Sequence, residues 1–349
     1  MNKRVSIKDV AKRADVSYQT VSKVLNGQAH VLPETAERVW QAARQLGYQP
    51  HHNARNLRAQ RSRMIGYSWM PLPPGQMNPI LDQFLSSMVE EAEAAGYHLL
   101  PFPYREGDGQ IPIYRELIET GRVDGFVLTN LDYHDPRVLY LLERQFPFVA
   151  FGHSDPELIF PYVDVDNEAG ERMATEHLLA LGHRRIAAIS WLPNSRVGDE
   201  RLKGYLAAMQ AAGVEAKPEW IARGEGTVEF ARQAAEQWLS GPDDQRPSGI
   251  AALSDAMAIG VMHVARARGL VLGRDLAIVG FDDAPMSQYL WPPLTSVRQP
   301  IREAGHKCVE VLVARLEGRP LAEEHILLKP ELIVRQSSSL NLSESDLSR

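Results

Sequence analysis

Tyr18, Gln19, Ser22, Lys23 and Asn26 recur at helical spacing and form one polar face of a short segment. Its other face is Val21, Val24 and Leu25. Such a face carries the donors and acceptors that read base edges in a major groove, where a glutamine pairs with adenine and a lysine meets guanine as a point charge. Taken alone, it is also what any solvated helix presents. Elsewhere the residues that could do covalent chemistry are sparse. The carboxylate pairs Asp164/Asp166 and Asp282/Asp283 lack partner His or Glu at ligand spacing and read as loop carboxylates after strands. His51-His52 has no further ligands near it, and His177 and His183 flank a helix end, where capping or surface roles fit. No GxGxxG follows the first strand, and no GxxxxGK[ST], GxSxG or HExxH occurs, so neither a nucleotide cofactor, nor a metal, nor a catalytic constellation is expected.

The elements that position the polar face are three short helices. Ser6 followed by Asp9 approximates a capping box, with Ile7, Val10, Ala11 and Ala14 on one face behind it. Asp15 stands where the chain must turn, and Asp tolerates the left-handed backbone a tight turn needs. Ser17 caps the second helix. The third starts near Pro33, carries the apolar stripe Ala36, Val39, Trp40, Ala43 and Leu46, and ends at Gly47. Three helices with a polar second one are the architecture that places a recognition helix in the major groove. Pro50 then breaks the chain, and residues 53–59 can form two helical turns, too few to be stable alone in water.

Charge separates along the chain. Residues 1–63 hold 12 Lys/Arg and 4 Asp/Glu, a net of +8, whereas residues 64–349 carry −14 out of an overall −6. A basic head on an acidic body suits a polyanion partner for the head. The single cysteine, Cys308, excludes a disulfide framework within one chain. No run of eighteen apolar residues is present and no apolar segment follows the basic start, so the expected location is cytoplasmic.

The run SIKDVAKRADVSYQTVSKVLNGQAHV (6–31) resembles the DNA-binding headpiece of the LacI/GalR family of bacterial transcription regulators. Its pattern, DVA, five residues, then S-x-x-TVS-x-VLN-G, is far more specific than a generic helix-turn-helix. Asp15 departs from the family's usual Gly, and Lys23 from the Arg of many members. The resemblance implies DNA contacts from Ser17, Tyr18, Gln19, Thr20, Ser22, Lys23, Asn26 and His30. It also implies a hinge helix in which Leu57 wedges the minor groove and Ala54 allows close pairing, an apolar wedge being a recurrent minor-groove device.

From Ile65 onward apolar runs alternate with amphipathic helices. Strands are expected at 65–70, 99–104, 126–130 and 148–151, then at 186–191, 220–223, 250–254 and 276–281, with helices over 80–95, 111–121 and 136–145 in the first set. Two such sets predict two parallel-sheet subdomains with a cleft at the carboxyl ends of the strands. The segments EHLLALGHRRIAAI, GDERLKGYLAAM, ALSDAMAIGVM, LAIVGFDDAP and PPLTSVRQP are similar to the family's effector domain, in its order. The implied fold is an all-α helix-turn-helix headpiece plus an α/β two-lobed effector domain of the periplasmic-binding-protein type. The expected limits are 1–48 for the headpiece, 49–63 for the hinge and 64–340 for the effector domain. Its first subdomain takes about 64–164 and 299–327, its second about 165–298 and 328–340. Residues 341–349 form a disordered tail, and the strand at 331–335 belongs to the second subdomain.

Four positions stand where relatives in the family contact effector. Arg201 offers a planar five-donor fork, Asp282 accepts two hydroxyl hydrogen bonds, Ser254 ends a strand, and Asn78 opens the first helix of the body. Trp69 and Trp191 close two strands, where a Trp is packed core about as often as a ligand platform. The resemblance thus implies a repressor whose DNA binding responds to a small carbohydrate, with no cofactor. The alternatives are a corepressor-dependent regulator of the purine type, a cytoplasmic sugar-binding protein, or a sugar-converting enzyme. The tail QSSSLNLSESDLSR has too few heptads for a coiled coil, so a homodimer is expected rather than a tetramer.

Overall fold

A computed structural model describes residues 5–25, 31–48, 61–70, 78–105 and 107–339. The chain divides into two compact units, residues 1–63 and 64–349.

The first unit holds α1 (Ile7–Ala14), α2 (Tyr18–Leu25) and α3 (Pro33–Leu46). The Asp9 carboxylate accepts from both the backbone N–H (2.8 Å) and the hydroxyl (2.7 Å) of Ser6, anchoring the start of α1. Asp15 ends it with φ +52°, the left-handed turn expected there without glycine. Val10, Val21 and Val39 meet at the centre of one small core with Ala11, Ala14, Val24, Leu25, Ala42 and Ala43. Trp40 departs from the expected stripe, being 42% exposed. The buried side of α3 is centred on Val39, Ala42 and Ala43, and one residue of helix turns Trp40 about 100° away from Val39.

Among the described residues the second unit contains two six-stranded sheets. The first half of the chain forms β1 (Met64–Trp69), α4 (Pro79–Ala94), β2 (His98–Pro103), α5 (Ile111–Glu119), β3 (Gly125–Leu128), α6 (Pro136–Glu143), β4 (Phe148–Phe151) and β5 (Tyr162–Val165). Then follow α7 (Asn167–Ala180), β6 (Ile186–Trp191), α8 (Arg196–Ala211), β7 (Ile221–Gly224), α9 (Val228–Trp238), β8 (Gly249–Ala252), α10 (Asp255–Ala267), β9 (Ala277–Asp282) and β10 (Thr295–Arg298). Finally come α11 (Ile301–Glu317), β11 (His325–Leu328) and β12 (Glu331–Ile333). The first sheet has the order β11-β5-β4-β3-β1-β2 and is parallel throughout. The second has the order β12-β10-β9-β8-β6-β7, parallel except for β12, which runs antiparallel to β10.

Both faces of each sheet are covered, which is why runs such as IAAIS and FVL are apolar throughout rather than alternating. Phe84, Met88, Cys308 and Leu312 of α4 and α11 pack on one face of the first sheet. Tyr114, Leu117, Val138 and Leu141 pack on the other. In the second sheet Leu178, Tyr205 and Met209 cover one face, and Ala231, Met257 and Val261 the other. The pairing of α7 with α8 depends on Gly204, where a Cβ would lie 2.2 Å from the Glu168 carbonyl oxygen.

Strands β5, β10 and β11 lie outside the spans read from the sequence. The equally short β3, β4 and β8 are legible because they are apolar throughout. By contrast, β5, β10 and β11 are interrupted by Asp164, by Thr295, Ser296 and Arg298, and by His325. The chain passes between the sheets three times, at Val165–Asn167, at Arg298–Ile301 and at Leu328–Glu331. The segment after β12 is pinned. Ser337 bonds to Ile278 O and Thr295 N, and Ser338 to His177 Nε2. The expected disordered tail, 341–349, lies outside the described residues.

Candidate DNA-contact helix and effector cleft

At the start of α2, Ser17 Oγ accepts from Thr20 N (3.1 Å) and lies 2.9 Å from Thr20 Oγ1, so the two hydroxyls fix the first turn. Tyr18, Gln19 and Lys23 are exposed, Tyr18 to 47%, and Ser22 is half-buried. Tyr18, Gln19, Ser22 and Lys23 share the face opposite Val21, Val24 and Leu25. The remaining expected contacts, Asn26, His30, Ala54 and Leu57, lie outside the described residues.

In the second unit, the second sheet gathers Arg201, Asp282 and Trp191 at one place. Arg201, 4% exposed, projects from α8. Its Nε donates to Asn167 Oδ1 (2.9 Å) and its Nη1 to Leu253 O (2.7 Å), with Asp282 Oδ1 3.6 Å away. The guanidinium lies 5.1 Å from the Trp191 ring. Asp282 ends β9 with φ +113° and is followed by Asp283 at φ +47°. Two successive non-glycine residues in the left-handed region are costly and concentrate at functional sites. Gln299 Nε2 also donates to Asp282 (2.7 Å). Burial pushes the Asp282 carboxyl above the usual carboxylate range, against the pull of Arg201. Burial and the Asp282 charge push up Asp255 as well, which accepts from Ser296 Oγ (2.6 Å), Ser287 Oγ (2.5 Å) and Ala284 N (2.7 Å) and so ties down the loop after β9.

Of the other expected contacts, Ser254 follows directly on Leu253, whose carbonyl accepts from Arg201, while Asn78 and Trp69 belong to the first lobe. Ser254 is buried as the N-cap of α10, its Oγ accepting from Met257 N (3.3 Å). Asn78 likewise caps α4, accepting from Leu81 N (3.2 Å). Trp69 ends β1, on the first sheet, and is 44% exposed. His177 and His183 are half-buried and bond to Ser338 and Ser248, joining α7 to neighbouring segments.

Asp164 corrects the reading of the acidic pairs. It is no loop carboxylate but a buried residue of β5 whose Oδ2 meets Arg196 Nη2 (3.0 Å) and His153 Nδ1 (2.7 Å). Arg196 belongs to α8 of the second subdomain, His153 to the segment after β4 of the first. Glu200 completes the group, bonding Arg196 Nη1 (2.5 Å) and His153 Nε2 (3.0 Å). Sequence reasoning missed His153, Arg196 and Glu200. The i, i+4 spacing of Arg196 and Glu200 was the only signal available.

A helix-turn-helix unit and a two-lobed α/β unit define a ligand-responsive DNA-binding regulator. Residues 6–51 match the family described as bacterial regulatory proteins, lacI family, and residues 175–338 a periplasmic binding protein-like domain. The repressor CytR of Escherichia coli K12 is 32% identical over 95% of this chain and 96% of its own. The repressor PurR of Aliivibrio fischeri MJ11 is 31% identical over 95% and 98%. Among solved structures, a LacI-family regulatory protein from Chloroflexus aggregans is 57% identical, covering 80% of this chain and 99% of that one, with a TM-score of 0.76. The lac repressor dimer bound to operator and an anti-inducer superposes with a TM-score of 0.83 at 27% identity over 97% and 100%. The regulator CelR in complex with cellobiose gives 0.72 at 31% identity over 96% and 100%. The chain belongs to the LacI family of bacterial regulatory proteins, and it is a transcription regulator. Among the described residues no helix is long and apolar enough to cross a membrane.

Proposed function

We propose that this protein is a cytoplasmic homodimeric repressor of sugar-utilisation genes whose operator binding is modulated by a small carbohydrate. The observation that carries the sugar class is the Arg201–Asp282 pair beside Trp191 at the carboxyl ends of β6 and β9. A paired cation and carboxylate present both donors and acceptors to neighbouring hydroxyls, and the indole face suits the apolar side of a sugar ring. The likeness to a cellobiose-bound regulator supports the same class. A purine-type corepressor is the second reading, favoured by the similarity to PurR. Binding here needs no covalent chemistry, in keeping with relatives that are regulators rather than enzymes.

On the operator, Tyr18 and Gln19 read base edges, while Ser17 and Thr20 position the helix on phosphates. Ser22, Lys23, Asn26 and His30 extend that contact, and Leu57 and Ala54 act in the minor groove. Effector acts only through its differential affinity for two arrangements of the lobes. A thermal-shift screen with mono- and disaccharides and purine bases, followed by operator-binding anisotropy with each hit, tests this reading. A sugar that stabilises the protein and changes operator affinity is expected. A purine hit would move the protein to the second reading, and operator binding indifferent to every hit would overturn the proposal.

A further inference from the structure

A heavily charged contact between the two lobes is the group formed by Asp164, His153, Arg196 and Glu200. Arg196, 2% exposed, reaches from the start of α8 to the Asp164 carboxylate of β5. His153 bridges the same lobes in the other sense, touching Asp164 of its own lobe and Glu200 of the opposite one. A further tie joins the Arg196 backbone N–H to Asp132 Oδ1 of the first lobe (3.3 Å). With His153 protonated the group holds two cations and two carboxylates, so it is close to neutral and tolerates burial. The oxygens and ring nitrogens of His153, Asp164 and Glu200 lie within 4.8 Å of one another, a spacing that metal ligands share. The Arg196 guanidinium bonds both carboxylates, so the cation of this cluster is already supplied by the chain.

The cluster is wired to the Arg201 site. Asn167 Nδ2 donates to Glu200 Oε2 (3.2 Å) while Asn167 Oδ1 accepts from Arg201 Nε (2.9 Å). One amide thus senses both groups, from the first residue of α7 just past a chain crossing.

We propose that Asp164, His153, Arg196 and Glu200 form a cross-lobe latch that holds the effector domain in the arrangement described, with Asn167 coupling the latch to the Arg201 site. Two states of the latch then bias the lobe equilibrium that any effector must work against. The latch is also sensitive to pH. Hydrogen bonds to Asp164 and Glu200 raise His153 to about 9 from its usual 6.5, against burial and the like charge of Arg196. Around it also lie the Tyr162 ring, with His325 stacked behind, Asp132 on the Arg196 side, and Tyr133 beside Glu200 and Arg196. The His153 contribution is therefore fully present below pH 6.5 and is lost as pH rises through 9.

The test is the distance between lobes in the full-length protein without DNA or effector, so it stands or falls separately from the sugar reading. Spin labels on Glu143→Cys, in α6, and Gln210→Cys, in α8, report it, because both positions are exposed and native Cys308 is buried. Dilution with unlabelled protein leaves only the distance within one chain. A single narrow distribution is expected at pH 6.5, broadening toward longer distances by pH 10. Arg196→Ala and His153→Gln should show the longer distribution already at pH 6.5. His153 is partly exposed, so its variant keeps the test decisive if the Arg196 variant fails to fold. Identical, pH-independent distances in the wild type and His153→Gln would overturn the latch.

Discussion

The Arg201 guanidinium lies 3.5 Å from the centroid of the Phe281 ring, with Trp191 also against it at 5.1 Å. Flat contact with an aromatic ring fixes the plane of the fork, which a lysine cannot reproduce. Arg201→Lys should therefore weaken effector binding at least tenfold, as read by isothermal titration calorimetry with the sugar from the screen. Effector-free operator affinity should stay within about tenfold, since coupling between sites is typically about 1–3 kcal/mol. Unchanged effector affinity would move the pocket away from Arg201.

Glu171 is fully buried in α7, and neither of its carboxyl oxygens accepts a hydrogen bond. Burial pushes it up to about 8 from 4.5, although Arg201 pulls the other way. The folded state thus keeps a proton that the unfolded chain releases, and stability falls as pH rises from 4.5 toward 8. Glu171→Gln removes this titration. Chemical denaturation at pH 5 and pH 8 should show the variant gaining on the wild type by up to about 1.4 kcal/mol per pH unit. Parallel stability profiles would mean that Glu171 ionises normally.

Gln19 is exposed at the start of α2, one residue past Tyr18. Gln19→Ala should relax preference at one base pair per operator half-site, costing about 1–3 kcal/mol for the lost bidentate contact. Binding measured against a panel of single-base operator variants checks this. Equal weakening on every variant would make Gln19 a backbone contact.

Asp15 holds φ +52° without the freedom of glycine. Left-handed backbone costs a side-chain-bearing residue about 1–2 kcal/mol, offset in part by the greater unfolded-state freedom of Gly. Asp15→Gly should raise headpiece stability by about 0.5–1 kcal/mol, seen as slower amide exchange in α1 and α2. Faster exchange would show that the Asp side chain contributes more than its backbone strain costs.

Much of this was legible in the sequence because its elements carry strong local signals. Asp15, Gly47 and the Val10–Val21–Val39 core could be placed from caps and spacing alone. So could the long buried strands, whose apolar runs are bounded by turns. Ser254 and Asn78 illustrate the opposite: matching a family position did not reveal that each side chain already caps a helix. The cluster around Arg196 was illegible for a different reason. Its members come from three separate segments, 43 residues apart between His153 and Arg196, and no periodicity records a meeting made by tertiary folding.

The three chain passages between lobes lie side by side. Asp166 N bonds to Leu328 O (2.9 Å) across the first and third, and Arg298 pairs with Glu331 across the second and third. A body joined by one strand could rotate about any axis, and two would still allow twisting. Three tethers, the second running antiparallel to the other two and laced to its neighbour through β10 and β12, resist twisting far more than a swing about the line they share. Whatever closes the cleft is thereby converted mainly into motion along one coordinate, so a ligand of modest size can produce a displacement of defined direction at the far end of the lobe.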